Sequence, residues 1–397
     1  MRILLVNSFF PPLTTGSAHF SLDVAREYVR QGHEVTVVTT RVVGAPDDEH
    51  RDGMRVVRVP AIVVTPGNLA FNYALPFAMR WGAVRRIARL VDEVRPDVMH
   101  QNGQFFDLTF ITTWIAWRRR IPRVLTLHTP LVHTNPLLRA IIALVDRTVV
   151  RALNAPGRPV VVGVDRFVCE LAQRRYRPRR GPVRFLPATL QIDRFAGGDG
   201  DRVRREHELG DAPVVLSLGH VIPIRSRVPL VEALPYLVKA LPEVRVVVVG
   251  EVYDTRFLRV AADLGVDDHL VVVGRVPHER VADYLAAADV ECHEFDGHNL
   301  GITTLEAMAA GVPIVAGIGR DVFPGIDLDE FPAIHVAERT EPEEIAETIA
   351  ALVAPGPVRD ASIVEQRAFV GRWFRPDLVA RQYLSLFAAL SHYDRPP

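Results

Sequence analysis

Short apolar runs recur along this chain, separated by longer stretches with apolar residues at helical spacing. In the first half the runs fall at 2–7, 34–39, 55–60, 97–102, 123–128, 159–164 and 184–188. The second half repeats the rhythm at 214–219, 244–250, 270–274, 290–293, 313–316 and 334–337. Short Val- and Ile-rich strands alternating with helices predict parallel sheets covered on both faces. Two such series in tandem predict an α/β protein of two doubly wound, Rossmann-like domains. The break falls at the small, polar stretch Ala196-Gly-Gly-Asp-Gly200. Ligands of doubly wound sheets lie beyond the carboxyl ends of the strands, so two facing domains would enclose a cleft.

The last stretch, 372–390, leaves that rhythm. Trp373, Phe374, Leu378, Val379, Tyr383, Leu386, Phe387 and Leu390 fall at helical spacing, with Pro376 at a break. This predicts an amphipathic closing helix.

Composition narrows the function classes. With 397 residues, 48% apolar and 24% charged, the chain suits two soluble globular domains. Its formal net charge is zero, which gives no global drive toward nucleic acid. The cations are arginine except for Lys239, as a GC-rich coding bias would produce. Cys169 and Cys292 are too few for a disulfide framework or a Cys-rich zinc site and read as buried thiols. Met-Arg-Ile-Leu-Leu-Val-Asn at the start reads as a strand, not a signal peptide. No run approaches the roughly 18 apolar residues of a spanning helix. The expectation is a cytoplasmic protein.

The most informative motif is His298-Asn-Leu-Gly-Ile-Thr-Thr-Leu-Glu306, running into Ala-Met-Ala-Ala-Gly-Val-Pro. A polar loop opens onto a helix that Gly311 stops, and an apolar strand follows Pro313. The N–H groups at such a helix start suit a phosphate or sugar oxygens. Glu306 could accept hydrogen bonds from a ribose diol. Elsewhere, His128 ends a predicted strand and would point toward the presumed cleft. His100 and His133 are weaker candidates. Gly16, in Phe9-Phe-Pro-Pro-Leu-Thr-Thr-Gly-Ser17, would allow a positive φ and close backbone approach in a loop after the first strand. Gly219-His-Val-Ile-Pro-Ile-Arg225 follows the first strand of the second half, and Gly250-Glu251 and Gly274-Arg-Val-Pro277 end two more. There is neither a Walker loop nor a G-x-G-x-x-G after the first strand.

The segment 298–311 resembles the nucleotide-sugar segment of retaining glycosyltransferases of family 4, whose pattern is close to E-G-F-G-x-x-x-L-E-A-M-A. Glu306 stands at the second Glu of that pattern and His298 at the first. The resemblance covers nearly the whole chain. It implies the GT-B fold, with an N-terminal domain at 1–196, a nucleotide-sugar domain at 197–371, and a C-terminal helix, 372–397, that crosses back to the N-terminal domain. It also implies retaining transfer of a sugar from a nucleotide-diphosphate sugar to an acceptor hydroxyl, without a bound metal or cofactor. The short D-x-D triplets Asp199-Gly-Asp201 and Asp327-Leu-Asp329 are the kind that occur by chance.

The same resemblance assigns roles to residues. Arg225 would hold the donor diphosphate from the family's Lys position, and His220 stands where the family has Arg. Arg227 stays undecided. Val276 would line the nucleobase pocket. Gly301, Ile302 and Thr303 would offer N–H groups to the leaving phosphate, and Glu306 would hold the ribose. Gly16 would face the donor, while His128 and His298 would orient the sugar. The leaving phosphate would take the acceptor proton, so catalysis would be electrostatic and positional. An epimerase or phosphorylase of the same architecture, or a catalytically degenerate nucleotide-sugar binder, stays open at this point. The acceptor is not identified. The partners expected are a nucleotide sugar and no nucleic acid. Basic, aromatic groups at 81–89, 114–120 and 174–180 would either rest on an anionic membrane surface or leave arginines in water beside an ordinary packed helix.

Overall fold

The computed structural model of the chain describes residues 1–13, 15–64, 75–79, 81–129, 135–223, 225–292, 295, 300–336 and 341–393. They divide into two units, Met1–Thr189 with Pro376–Pro397, and Leu190–Arg375. His133 and His298 lie outside the described residues.

The first unit is built on strands β1 (Arg2–Asn7), β2 (Glu34–Thr40), β3 (Asp48–Arg51) and β4 (Met54–Val59). A separate hairpin of β5 (Ile62–Val64) and β6 (Leu75–Phe77) follows, then β7 (Val98–Asn102), β8 (Arg123–Leu127), β9 (Val160–Gly163) and β10 (Arg184–Phe185). The large sheet has the order β10-β9-β8-β7-β1-β2-β4-β3. Every neighbour pair is parallel except β3 with β4. That pair is closed by Asp52-Gly53, both at positive φ (50° and 77°). Asp-Gly at paired positive φ is the two-residue hairpin turn whose twist matches the strands. The strand it adds is Asp-Glu-His-Arg, wholly polar and at the sheet edge, where charge discourages pairing with another chain.

Alternate side chains of one strand serve opposite faces. Ile3 and Leu5 join the core under the helices Gly16–Arg30 and Pro376–Tyr393, while Leu4 and Val6 join the core under Trp81–Val94 and Asp107–Arg118. The closing helix is therefore part of the first unit. Val379, Tyr383, Phe387 and Leu390 are buried in its core. Tyr383 also bonds Thr126 (3.0 Å), which bonds His100 (3.0 Å), which meets the Tyr28 hydroxyl (3.2 Å). His100 is thus a buried polar tie between sheet and helices, and burial pushes its imidazole down to about 3.

The expected helix at 372–390 is two helices. Pro357–Trp373 ends at Phe374, and Pro376 opens Pro376–Tyr393, as Pro suits a first turn. The division at 375/376 follows that break. The other division, at 189/190, precedes the Gly-rich stretch at 196–200, which lies inside the second unit. Those glycines serve close packing: a Cβ on Gly198 would lie 2.0 Å from the Ala282 carbonyl oxygen, and one on Gly200 2.6 Å from that of Ala286.

The second unit has strands β11 (Val214–Leu218), β12 (Arg245–Val249), β13 (Leu270–Gly274), β14 (Val290–Cys292), β15 (Ile314–Ala316) and β16 (His335–Val336). All pair in parallel, in the order β13-β12-β11-β14-β15-β16. Val215, Val246, Val248 and Val290 pack with Leu230, Leu234, Ile345 and Ile349 of the covering helices. Cys169 and Cys292 are free, buried thiols.

Replacing Phe387 by Ala should destabilise the first unit. Deleting a fully buried phenyl costs about 3–5 kcal/mol. Calorimetry should show one of two unfolding transitions move down while the other holds. Equal movement of both would mean that the closing helix stabilises the units jointly.

Candidate active site

Parallel strands bring all their carboxyl ends to one edge of each sheet. In the second unit, three neighbouring strands end in glycine followed by a polar residue: Gly219-His220 after β11, Gly250-Glu251 after β12 and Gly274-Arg275 at the end of β13. All three glycines have positive φ, 128°, 140° and 77°. Their backbones continue the ladder beyond the strands. Gly219 N–H donates to Val249 O (2.8 Å), Gly250 N–H to Gly274 O (2.8 Å) and Val221 N–H to Glu251 O (2.9 Å). A Cβ on Gly250 would sit 2.2 Å from the Gly219 carbonyl oxygen, so only glycine fits.

This edge gathers positive charge. Burial lowers the pKa of His220, and Arg275, Arg225 and Arg227 lower it further against the opposing pull of Glu251. The Glu251 N–H donates to His220 Nδ1 (3.2 Å), which places the remaining proton on Nε2. His220 is therefore a neutral donor, not a cation. Arg225 is half-buried, its N–H donating to Ile222 O (2.8 Å) in a tight turn. Arg227, left undecided from sequence, is fully buried. Its guanidinium donates to Arg225 O (2.9 Å) and Gly219 O (2.8 Å), so it shapes the loop that carries Arg225. Arg275 is the residue the sequence reading passed over. Its signal was the repeated Gly-polar ending, which gives it the same place as His220 two strands away. Val276 follows it, half-buried.

The helix Ile302–Ala310 begins at Gly301, which supplies no capping side chain, and ends at Gly311 in the left-handed region (φ 83°). Ile302 and Thr303 are half-exposed in the first turn. The helix dipole makes this end electropositive. Glu306 is buried, and burial raises its carboxyl to about 8 against the opposing charge of Arg194. Arg194 lies on the turn Ile192–Phe195, which packs against this helix. In the absence of a ligand Glu306 is thus a neutral acid at pH 7.

The first unit gathers a smaller set. β1 and β7 end in Asn7 and Asn102, paired in register, and His128 follows β8. Asn102 Oδ1 accepts from His128 Nε2 (2.9 Å), which leaves Nδ1 as the acceptor of a neutral ring. Burial pushes His128 down to about 4, and the Phe20 ring stands edge-on to it at 4.7 Å. Asn7 ties the loop after β1 to the first helix, donating to Ser17 O (2.9 Å) and Ser21 Oγ (2.8 Å). Gly16 departs from expectation. It is the first residue of that helix, without positive φ, and Thr15 is the cap whose hydroxyl accepts from the Ala18 N–H. What Gly16 provides is open space, since a Cβ there meets nothing within 4 Å. Among the described residues no group of three or more His, Cys, Asp or Glu is arranged to hold a metal ion.

Comparison with known proteins gives this geometry a context. Residues 15–189 match the family model "Glycosyl transferase 4-like domain" and 199–367 the model "Glycosyl transferases group 1". The chain is 31% identical over 332 residues to the GDP-mannose-dependent alpha-(1-6)-phosphatidylinositol monomannoside mannosyltransferase of Mycolicibacterium smegmatis, covering 79% of this chain and 80% of that protein. It is 30% identical over 250 residues to the D-inositol 3-phosphate glycosyltransferase of Geodermatophilus obscurus, covering 56% of this chain and 54% of that one. The fold matches HepE of Anabaena, solved with UDP, at TM-score 0.67 and 16% identity, over 98% of this chain and 100% of that one. It also matches sucrose-phosphate synthase of Thermosynechococcus elongatus at TM-score 0.66 and 19% identity, over 98% and 99%.

The raised carboxyl of Glu306 predicts a pH signature. The unfolded chain ionises this group near its ordinary value, while the folded chain keeps it protonated to about 8. Stability is therefore lost as pH rises between those values, at a cost on the order of 5 kcal/mol when complete. Glu306→Gln should unfold with wild type at pH 5 and at a higher temperature than wild type at pH 8. Parallel melting curves at both pH values would mean that Glu306 is ionised in the fold.

Proposed function

The chain belongs to the group 1 glycosyl transferases, with a glycosyl transferase 4-like first half, and from that premise we propose that it moves mannose from GDP-mannose to a hydroxyl of an inositol-phosphate lipid at a membrane surface. Family membership makes it a transferase of sugar from a nucleotide-diphosphate sugar to an acceptor hydroxyl. It disfavours the epimerase, phosphorylase and binder alternatives. The observation that carries the finer reading is the 31% identity to a relative that uses GDP-mannose and a phosphatidylinositol monomannoside, over four-fifths of that protein's length (80%). The D-inositol 3-phosphate glycosyltransferases support an inositol-phosphate group in the acceptor.

The chemistry assigned to the residues is electrostatic. The anomeric carbon–oxygen bond to the diphosphate breaks, and a bond to the acceptor oxygen forms on the same face. The acceptor proton passes to the departing phosphate oxygen. Charge on that group is met by Arg225, by Arg275, by the Nε2–H of His220 and by the start of the helix Ile302–Ala310. Glu306 takes the ribose hydroxyls. Val276 lies beside the base, Gly16 leaves room for the donor, and His128 and His298 orient the sugar. We include no metal in this reading, because the arginines and the helix dipole supply the neutralisation.

Three measurements test this. In thermal-shift titration, GDP-mannose should raise the melting temperature at lower concentration than UDP-glucose or UDP-galactose, since a bound donor stabilises by mass action. Arg225→Ala should weaken GDP-mannose by about 1.5–3 kcal/mol and leave guanosine unchanged. Transfer of radiolabelled mannose to a phosphatidylinositol mannoside should persist in EDTA and fall sharply in His128→Ala. A stronger shift with a UDP-sugar would overturn the donor assignment, and full loss in EDTA would overturn the metal-free chemistry.

A further inference from the structure

Between residues 136 and 180 the chain carries ten arginines and three carboxylates, against a formal net charge of zero for the whole. The helix Pro136–Val145 in this segment buries none of its residues. Leu137 (68%), Ile141 (48%) and Leu144 (63%) are exposed at helical spacing, and Val149 (52%) continues the stripe. The helix is well made without a partner. The Asn135 side chain accepts from Leu137 N–H (2.9 Å) and Leu138 N–H (3.2 Å), and Pro136 occupies the first turn. Its far end is fastened. Asp146, fully buried, accepts from Arg175 (2.7 Å) and from the Tyr176 hydroxyl, and Asn154 Nδ2 donates to Gln104 O (3.0 Å).

Beside the fastened end lies a cavity of about 610 Å³ lined by Arg147, Arg151, Arg174, Arg175 and Arg177. Arg175 is held by Asp146 and Arg174 reaches Glu170 (3.4 Å). Arg147, Arg151 and Arg177 have no ion-pair partner among the described residues, whereas many other arginines of the chain are paired. An aliphatic stripe next to unpaired arginines fits an interface that is apolar just below a layer of phosphates.

We propose that the helix Pro136–Val145 and the arginine cavity beside it form a docking surface for an anionic lipid bilayer, with Leu137, Ile141 and Leu144 entering the acyl boundary and Arg147, Arg151 and Arg177 meeting lipid phosphates. This deepens the proposed function, resting on its lipid acceptor, and names the surface that reaches it. A second copy of the chain is a poor occupant, because the same seven net positive charges would face each other. Of the three basic groups noted in the sequence, 174–180 is the one joined to an uncovered aliphatic helix. No helix among the described residues is long and apolar enough to cross a membrane.

The test is co-sedimentation of the full chain, without donor, with phosphatidylcholine vesicles that contain or lack phosphatidylglycerol. The wild type should bind the anionic vesicles, less so in high salt, and leave neutral ones in solution. Leu137→Asp with Ile141→Asp, and separately Arg147→Glu with Arg151→Glu, should each lower partitioning about tenfold or more, with unchanged circular dichroism and an unchanged thermal shift by donor. Wild-type protein that stays in solution would overturn the proposal. So would an Asp variant that binds like wild type, or an Asp variant that turns a wild-type dimer into a monomer. Vesicle binding is read without chemistry, so a wrong donor or acceptor assignment leaves this result standing, and failure here leaves mannose transfer to a detergent-solubilised acceptor intact.

Discussion

A Cβ on Gly250 would lie 2.2 Å from the Gly219 carbonyl oxygen, and that close approach organises the chemistry of the second unit. Because the two loops touch backbone to backbone, the Glu251 N–H can reach His220 Nδ1 and fix the ring's remaining proton on Nε2. The same loop is held from beneath by Arg227, whose guanidinium binds the carbonyls of Gly219 and Arg225. A buried cation is spent on carbonyl oxygens and shapes the loop that carries Arg225. One glycine contact thereby sets a tautomer, a loop and a local charge.

Buried arginine recurs as a structural device. Arg58 binds Pro46 O and Pro11 O as well as Glu49, and Arg123 binds Gln101, Thr113 and the carbonyls of Asn154 and Pro156. Burial pulls Arg123 down to about 9, which still leaves it charged at neutral pH. A guanidinium suits this use because five donors in a fixed plane can satisfy several loop carbonyls at once. In a chain whose only lysine is Lys239, that planar fork ties down the carbonyls of Pro46, Pro156 and Gly219 in ways an ammonium would not.

Each Val- and Ile-rich run expected from the sequence is a strand, because such runs have few alternatives once helices alternate with them. What pattern alone missed was polar or short: β3 has no apolar residue, and its signal was the Asp52-Gly53 turn. The units divide at 189/190, ahead of the Gly-rich stretch at 196–200, because glycine marks close packing as well as flexibility, and only the Ala282 and Ala286 carbonyls distinguish the two. Glu306 and His128 were legible as candidates by position, one near a helix start and one just after a strand. Their ionisation was not, because it depends on burial supplied by residues distant in sequence. Arg227 and Arg275 sat in the quoted motifs, yet nothing local says which arginine turns inward.

That burial also sets how charge is distributed at the sheet edge of the second unit. Glu306 is protonated up to about 8 and His220 is neutral, so the cations at this edge are arginines, opposed by Glu251. On the proposed function, an anionic diphosphate arriving there would meet arginine charge and a protonated Glu306. On the proposed role of Glu306, the donor's ribose would offer it hydroxyl donors, and hydrogen bonds to the charged form favour ionisation. The acid that burial makes costly to ionise would then become less costly to ionise. Donor binding and loss of that proton would be coupled, each strengthening the other by the same factor. The chain's zero formal charge conceals this arrangement, as it conceals the arginine-rich segment of the first unit. In that segment the proposed docking rests on Arg147, Arg151 and Arg177, which have no ion-pair partner among the described residues, rather than on how many arginines there are.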